Sequence, residues 1–401
     1  MAGERREVLD WATDWDSIGP QYHEHDRAVW EELRGRCPVA HTERFGGAWF
    51  PVRYDDIVAV AHDTATYSSA GVVLADPPGP FFEMPPLTMD PPAHLAYRRV
   101  LLPRFTPQQV ERHRPAAVAI CNDLIDSFLA AGRVEAATDY AQAVPVQVIG
   151  HLLGIPRPDR DQIRHWIHDI TELGRADPEA ASRATREVLA YLRAQLDDRR
   201  NHGGDDLIAW VVAAQLDRAP IPARTQASML LVALTGGIDD TWSALGAAIA
   251  HLATHPTDQQ RLRLEPDLLP TAVEELLRFY APVDVGRLVV RDAELGGCPI
   301  KAGDRLLLSF PDANADPAVF PDADRVVLDR AHNPHLTFGI GVHRCLSSNL
   351  ARMMLRVGLS TLLERVPPFW LAPGATIIRT TGGNTHGPRG IPLVFDAVQT
   401  G

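Results

Sequence analysis

The chain has 401 residues, 45% of them hydrophobic and 22% charged, and a formal net charge of −12. That is ordinary globular composition with ample core material, and its acidic balance argues against nucleic acid as the main partner. No window of about eighteen residues is apolar and free of charge, and the opening MAGERREVLDWATDWD is charged. A cytoplasmic protein without membrane span or signal peptide is therefore expected.

Residues 22–37 carry the period of a surface helix, with Val29, Trp30 and Leu33 near one side. Strand-like runs follow at Val39–Thr42 and Ala48–Val52, split by the turn Phe45-Gly46-Gly47, and Tyr54–His62 reads as the next helix. From Ser68 to Asp90 repeated prolines stop both helix and central strand, which predicts a long loop. Its apolar members Val73, Leu74, Phe81, Phe82, Met84 and Leu87 would line a substrate pocket; a plain surface loop is the alternative. His94 and Arg98 then fall four apart on one helix face, a pair that alone is most often a solvated contact. Helical segments are predicted near 108–131, 138–154, 158–173, 178–200 and 204–216, separated by Gly, Pro and Asp signals.

The stretch Pro222–His255 reads as a long helix with the stripe Ile238, Trp242, Leu245, Ile249 and Leu252 packed in a core. Gly236-Gly237 interrupts it, at about 1 kcal/mol per glycine relative to alanine, so a bulky neighbour or a local bulge is expected there. Asp239 and Asp240 stand inside the same apolar helix, where carboxylates are costly unless paired. TAVEELLRFY forms a further helix on which Glu275 and Arg278 face together. Short antiparallel strands are predicted in Val283–Val290 and Ala293–Phe310, and strand-like pieces again from Phe369 onward.

Cys37, Cys121, Cys298 and Cys345 form no CxxC pair, so neither a zinc site nor a disulfide framework is suggested. Lys301 is the only lysine and sits in a turn, which speaks against Schiff-base chemistry. Cys345 is different: it ends Thr337-Phe338-Gly339-Ile340-Gly341-Val342-His343-Arg344-Cys345, just before a helical run. The glycines permit a tight turn around the sulfur, and a helix N-terminus beside it favours thiolate. A metal-binding sulfur is one reading, and a buried free cysteine is the other.

The string FGIGVHRC resembles the haem-binding loop of the cytochrome P450 family. The resemblance implies haem b (iron protoporphyrin IX), with Cys345 as axial ligand to its iron and Phe338, Gly339 and Gly237 among its contacts. Ser347 stands where the family usually has glycine and is expected to cap the new helix. His94 and Arg98 resemble the family's HxxxR helix, whose two cations bind a haem propionate, and Arg287 and His343 match further propionate positions. Glu275 and Arg278 match a structural ExxR pair. GGIDDT falls on the helix that crosses the oxygen-binding face, where the family pattern is Ala/Gly-Gly-x-Asp/Glu-Thr. Asp239 takes the acid position and Asp240 replaces the threonine; Thr241 follows about 100° further round. A register one residue later would restore Asp240-Thr241 but put Ile238 at the glycine. Asp239, Asp240 and Thr241 are thus the candidate catalytic residues. Leu234, Ile238, Val283, Val285 and Thr381 join Phe81, Phe82, Met84 and Leu87 as expected substrate contacts.

The implied fold is mainly α with small β-sheets, one domain over residues 1–401, with the long central helix over the haem and the cysteine loop beneath it. The implied activity is monooxygenation of an apolar small molecule with O2, by hydroxylation, dealkylation or a related reaction. Electrons would come from a ferredoxin and its reductase, docking on a patch of Arg99, Arg104, Arg112, Arg114, Arg344 and Arg352, and a monomer without membrane contact is expected. Asp240 keeps open a peroxide-using or non-hydroxylating enzyme, such as one for coupling or rearrangement. A non-catalytic haem sensor or carrier is the reading from another class.

Overall fold

The computed structural model describes residues 7–16, 20–72, 83–172, 177–380 and 385–398. Its organising element is the central helix, Ala223–Thr254, 32 residues long. Trp242, Leu245, Ile249 and Leu252 are buried in the main core together with Leu234 and Ile238, as the apolar stripe requires. Helices Pro178–His202, Arg114–Phe128 and Ala143–Leu152 belong to the same core. No local bulge forms at Gly236-Gly237, because the helix runs through unbroken. A Cβ on Gly237 would instead meet the Ile149 side chain at 2.9 Å, so Ile149 is its bulky neighbour.

Proline and turn chemistry set two boundaries that periodicity alone does not place. The predicted segment 108–131 divides into Pro107–Glu111 and Arg114–Phe128, because Pro115 lacks an N–H and sits where a helix begins, not where it continues. The predicted helix 204–216 stops earlier, at Leu207–Ala213. A hairpin pairs Gln215–Leu216 with Ala219–Pro220 across Asp217 and Arg218, both at positive φ.

Five short strands form the larger sheet, in the order Val39–Thr42, Ala48–Pro51, Arg305–Ser309, Asp284–Val289, Tyr67–Ser68. The pairing is antiparallel except between Arg305–Ser309 and Ala48–Pro51. A second sheet joins Phe369–Leu371 and Pro392–Phe395 to Arg133–Glu135, a strand three residues long inside the helical middle third. The family-level expectation of a mainly α fold with small sheets matches this architecture.

The helix Leu269–Phe279 carries a fully buried ion pair. Arg278 donates to both Glu275 oxygens, at 2.9 and 2.8 Å, and to the carbonyls of Asn314, Ala323 and Arg325. Glu275 also accepts from the Val327 N–H, Arg330 and Asn333. Burial alone would raise the Glu275 carboxyl, but these donors outweigh it and hold it below its usual range. Asn314 extends the network, accepting the Leu336 N–H and donating to Thr337 at the start of the cysteine loop.

Candidate active site

The cysteine loop closes through backbone geometry. Gly339 and Gly341 have φ of +64° and +71°, and a Cβ on Gly341 would lie 2.9 Å from the Ala61 carbonyl. The Cys345 N–H then donates to the Phe338 carbonyl at 2.7 Å, folding the loop back under its own sulfur. The helix Ser348–Arg365 follows. Ser347 occupies its N-cap position without a side-chain cap bond; its hydroxyl lies 3.5 Å from the Cys345 sulfur instead. Burial pushes the Cys345 thiol up, more than Ser347 and Arg98 push it down.

Beside the sulfur opens a cavity of about 280 Å³. Cys345, Phe338 and Gly339 line one side, and Gly236, Gly237, Asp240 and Ala244 of the central helix line another. Gly236 is exposed only in the sense that it faces this space, where an added Cβ would meet nothing closer than Asp240, at 3.7 Å. Leu87, Val283 and Val285 also line the cavity.

His94, Arg98, Arg287 and His343 converge on one edge of it. The His94 and His343 rings lie 4.1 Å apart, and Arg98 donates to the Arg344 carbonyl at 2.6 Å. The His94 Nδ1 and the His343 Nε2 are buried without a hydrogen-bond partner. Burial lowers all four groups, His343 to about 3 and Arg287 to about 10. Asp90 acts on His94 and Arg287, but its oxygens are already held by Ser68 and Ser69. Four desolvated basic groups, two of them with an orphaned nitrogen, form a socket for an anionic group.

The acids of the central helix separate into two environments. Asp239 is buried and points away from the cavity, taking the Arg389 guanidinium at 2.9 Å. Arg389 also binds Glu172 and the Ser243 hydroxyl and stacks over Trp242 at 3.9 Å. Asp240 faces the cavity, with the Thr385 hydroxyl 3.5 Å away. Burial, then repulsion from Asp239, raises Asp240 to about 8, against weaker lowering by Thr385 and Arg389. Thr241 lines the cavity as a buried residue.

Three expected substrate contacts are corrected here. Leu234 and Ile238 are fully buried in the core and do not line the cavity, because the helical period turns them toward the packed side. Ala233 and Gly237 take the cavity-facing places. Met84 lies beside the Pro85–Thr88 turn and is not part of the cavity wall, whereas Leu87 is. Phe81, Phe82, Thr381, Val73 and Leu74 lie outside the described residues. Arg389, Glu172 and Thr385 carry no local signal of these roles. Arg389 stands 150 positions from Asp239, so no local periodicity links them.

A half-buried thiol before a helix, facing an apolar cavity with a basic edge, is the arrangement of a haem-thiolate protein. The residues fit that group: the sulfur for iron, and the orphaned nitrogens and buried guanidinium for propionates. The cytochrome P450 family profile matches residues 175–367. Mycinamicin IV hydroxylase/epoxidase of Micromonospora griseorubida is 35% identical, covering 91% of this chain and 94% of that protein. Nocardicin C N-oxygenase of Nocardia uniformis subsp. tsuyamanensis is 34% identical, covering 92% and 94%. Among solved structures, the P450 PksS of the Bacillus subtilis 168 bacillaene polyketide synthase superposes with a TM-score of 0.87 at 28% identity, covering 95% of this chain and 99% of that one. The chain belongs to the cytochrome P450 family. It is accordingly a haem-iron monooxygenase that acts on small molecules with electrons from redox partners. No helix among the described residues is long and apolar enough to cross a membrane.

Proposed function

We propose that this protein inserts one oxygen atom from O2 into an apolar small organic molecule, by hydroxylation, dealkylation or a related oxidation. The observation that carries this reading is the Cys345 thiol set across a largely apolar cavity from the central helix. Haem b is the form of cofactor proposed, and its two propionates suit the four basic groups. When bound, it supplies oxygen activation, which an axial thiolate favours. Cys345 would hold the iron through its sulfur, and His94, Arg98, Arg287 and His343 would receive the carboxylates. Leu87, Val283 and Val285 hold the substrate and exclude water. Asp240 holds a proton at the cavity wall. Electrons come from a ferredoxin and its reductase, and the chain works as a monomeric single domain in the cytoplasm.

The reduced protein with carbon monoxide is expected to show the red-shifted Soret band of thiolate ligation, and Cys345→Ser to lose it. A normal band in Cys345→Ser sinks the assignment of the ligand.

Asp240 in the alcohol position motivates a second reading, in which peroxide replaces O2 and two electrons, or the product is not a hydroxylated one. Its carboxyl both reaches the cavity and holds a proton, as a general acid/base requires. Turnover with the ferredoxin system and with peroxide should shift in opposite directions in Asp240→Thr. If neither changes, Asp240 has no part in the chemistry.

A further inference from the structure

We propose that the substrate carries a basic nitrogen, and that its ammonium docks on the Asp240 carboxylate. This rests on the haem-thiolate reading of the cavity and names the class of molecule that it takes.

The first support is the distribution of charge around the cavity. The ionisable residues lining it are His94, Arg98, Arg287, His343, Cys345 and Asp240. Four are the basic groups assigned to the haem carboxylates and the fifth is the axial sulfur. Among the described residues, Asp240 is left as the single carboxyl lining the cavity, which it shares with apolar residues such as Ile149, Ala233 and Val283.

The second support is the set of partners available to that carboxyl. An ionised carboxylate accepts about four hydrogen bonds, and Thr385 offers one long one at 3.5 Å. Arg389 lies on the far side and is shared by Asp239 and Glu172. Counted together, Asp239, Glu172 and Arg389 carry one net negative charge before Asp240 ionises. Cys345, across the cavity, adds no positive charge. The groups facing Asp240 therefore disfavour a second anion and favour a cation.

A neutral hydroxyl or carbonyl on the substrate would bond to a protonated Asp240 but leave this imbalance as it stands. An ammonium pairs with the ionised carboxyl and offsets the charge that ionisation adds as the carboxyl proton passes to solvent, a charge-assisted contact that a hydroxyl or carbonyl cannot supply. A charge-assisted bond in a water-poor cavity is stronger than its neutral counterpart, and its selectivity is on the order of tenfold to a hundredfold.

The test uses the haem-loaded protein, with its carbon monoxide spectrum recorded first. Failure of that spectrum refutes the haem-thiolate reading itself, whereas the amine is tested separately, by ligand affinity. Equilibrium dialysis at pH 7.5 compares N,N-dimethyl-4-phenylbutylamine, its trimethylammonium analogue and 4-phenyl-1-butanol. The trimethylammonium cannot ligate iron, so its binding reports charge alone. Both cations are expected to bind at least about tenfold more tightly than the alcohol. Asp240→Asn should abolish that preference while alcohol binding stays within about threefold, and Asp240→Glu should restore part of it. Circular dichroism and haem content check that each variant is folded. Equal affinity for the three probes, no measurable binding of the cations, or a preference that survives in Asp240→Asn overturns the proposal.

Discussion

Asp240 carries the least favourable burial in the site, and its cost has a definite sign. Its carboxyl is raised to about 8 by burial and by Asp239, against about 4 in an unfolded chain. Between those values the folded chain keeps a proton that the unfolded chain has released, so stability falls as pH rises from about 4 to about 8. Asp240→Asn removes the titration. It should therefore be more stable than the parent, with a gain small near pH 5 and growing toward pH 8, to roughly 2–4 °C in Tm. A gain independent of pH, or largest in acid, contradicts the assignment. The neighbouring Asp239 meets the Arg389 guanidinium directly. One residue of difference on a helix thus divides a carboxylate paired with Arg389 from one that faces the cavity.

Between elements, the cysteine loop is held by two acids in succession. Glu275 fixes the segment that leads toward the loop, and Glu274 reaches the cysteine helix. Burial opposes ionisation of Glu274, but His335 and two bonds from Arg352 hold it at about 2. Its stabilisation is therefore present above about pH 4.5 and is lost as pH falls toward 2. Glu274→Gln should cost roughly 1–3 kcal/mol at pH 7, with the gap to the parent closing in acid; urea titrations at pH 7 and pH 3.5 measure it. This contact also changes the expected docking patch. Arg352 is spent on Glu274 and stacks over Phe338 at 4.3 Å. The central helix, the ExxR pair and the cysteine turn were legible in the chain, since periodicity, i,i+3 spacing and glycines at positive φ are local rules. The partners of Asp239 and Glu274 were not, because the fold brings residues together from 150 and 78 positions away. Ser347 departs from its expected capping role for a different reason: its hydroxyl has two possible partners, and the sulfur wins over the helix N–H groups.

At the scale of the whole molecule, a net charge of −12 should repel an acidic electron donor, so docking depends on where the cations stand. Of the six arginines expected in the patch, Arg352 is held by Glu274, Arg114 by Glu111, and Arg104 packs against Trp210 while bonding the Asp205 carbonyl. Arg99, Arg112 and Arg344 are exposed. Arg344 directly precedes Cys345, and Arg98, beside Arg99, donates to its carbonyl. Leu102, 46% exposed, adds an apolar contact close by in sequence to Arg99. These three are the exposed cations of the expected docking patch. The triple variant Arg99→Ala, Arg112→Ala, Arg344→Ala should be reduced about tenfold more slowly by ferredoxin at 10–20 mM salt. Near 1 M salt, where charges separated by more than about 3 Å are screened, its rate should approach that of the parent. Stopped-flow reduction under carbon monoxide reads both limits, and an unchanged haem content shows that the cysteine loop is intact. A parent rate that does not fall with salt would mean that these arginines do not guide the donor.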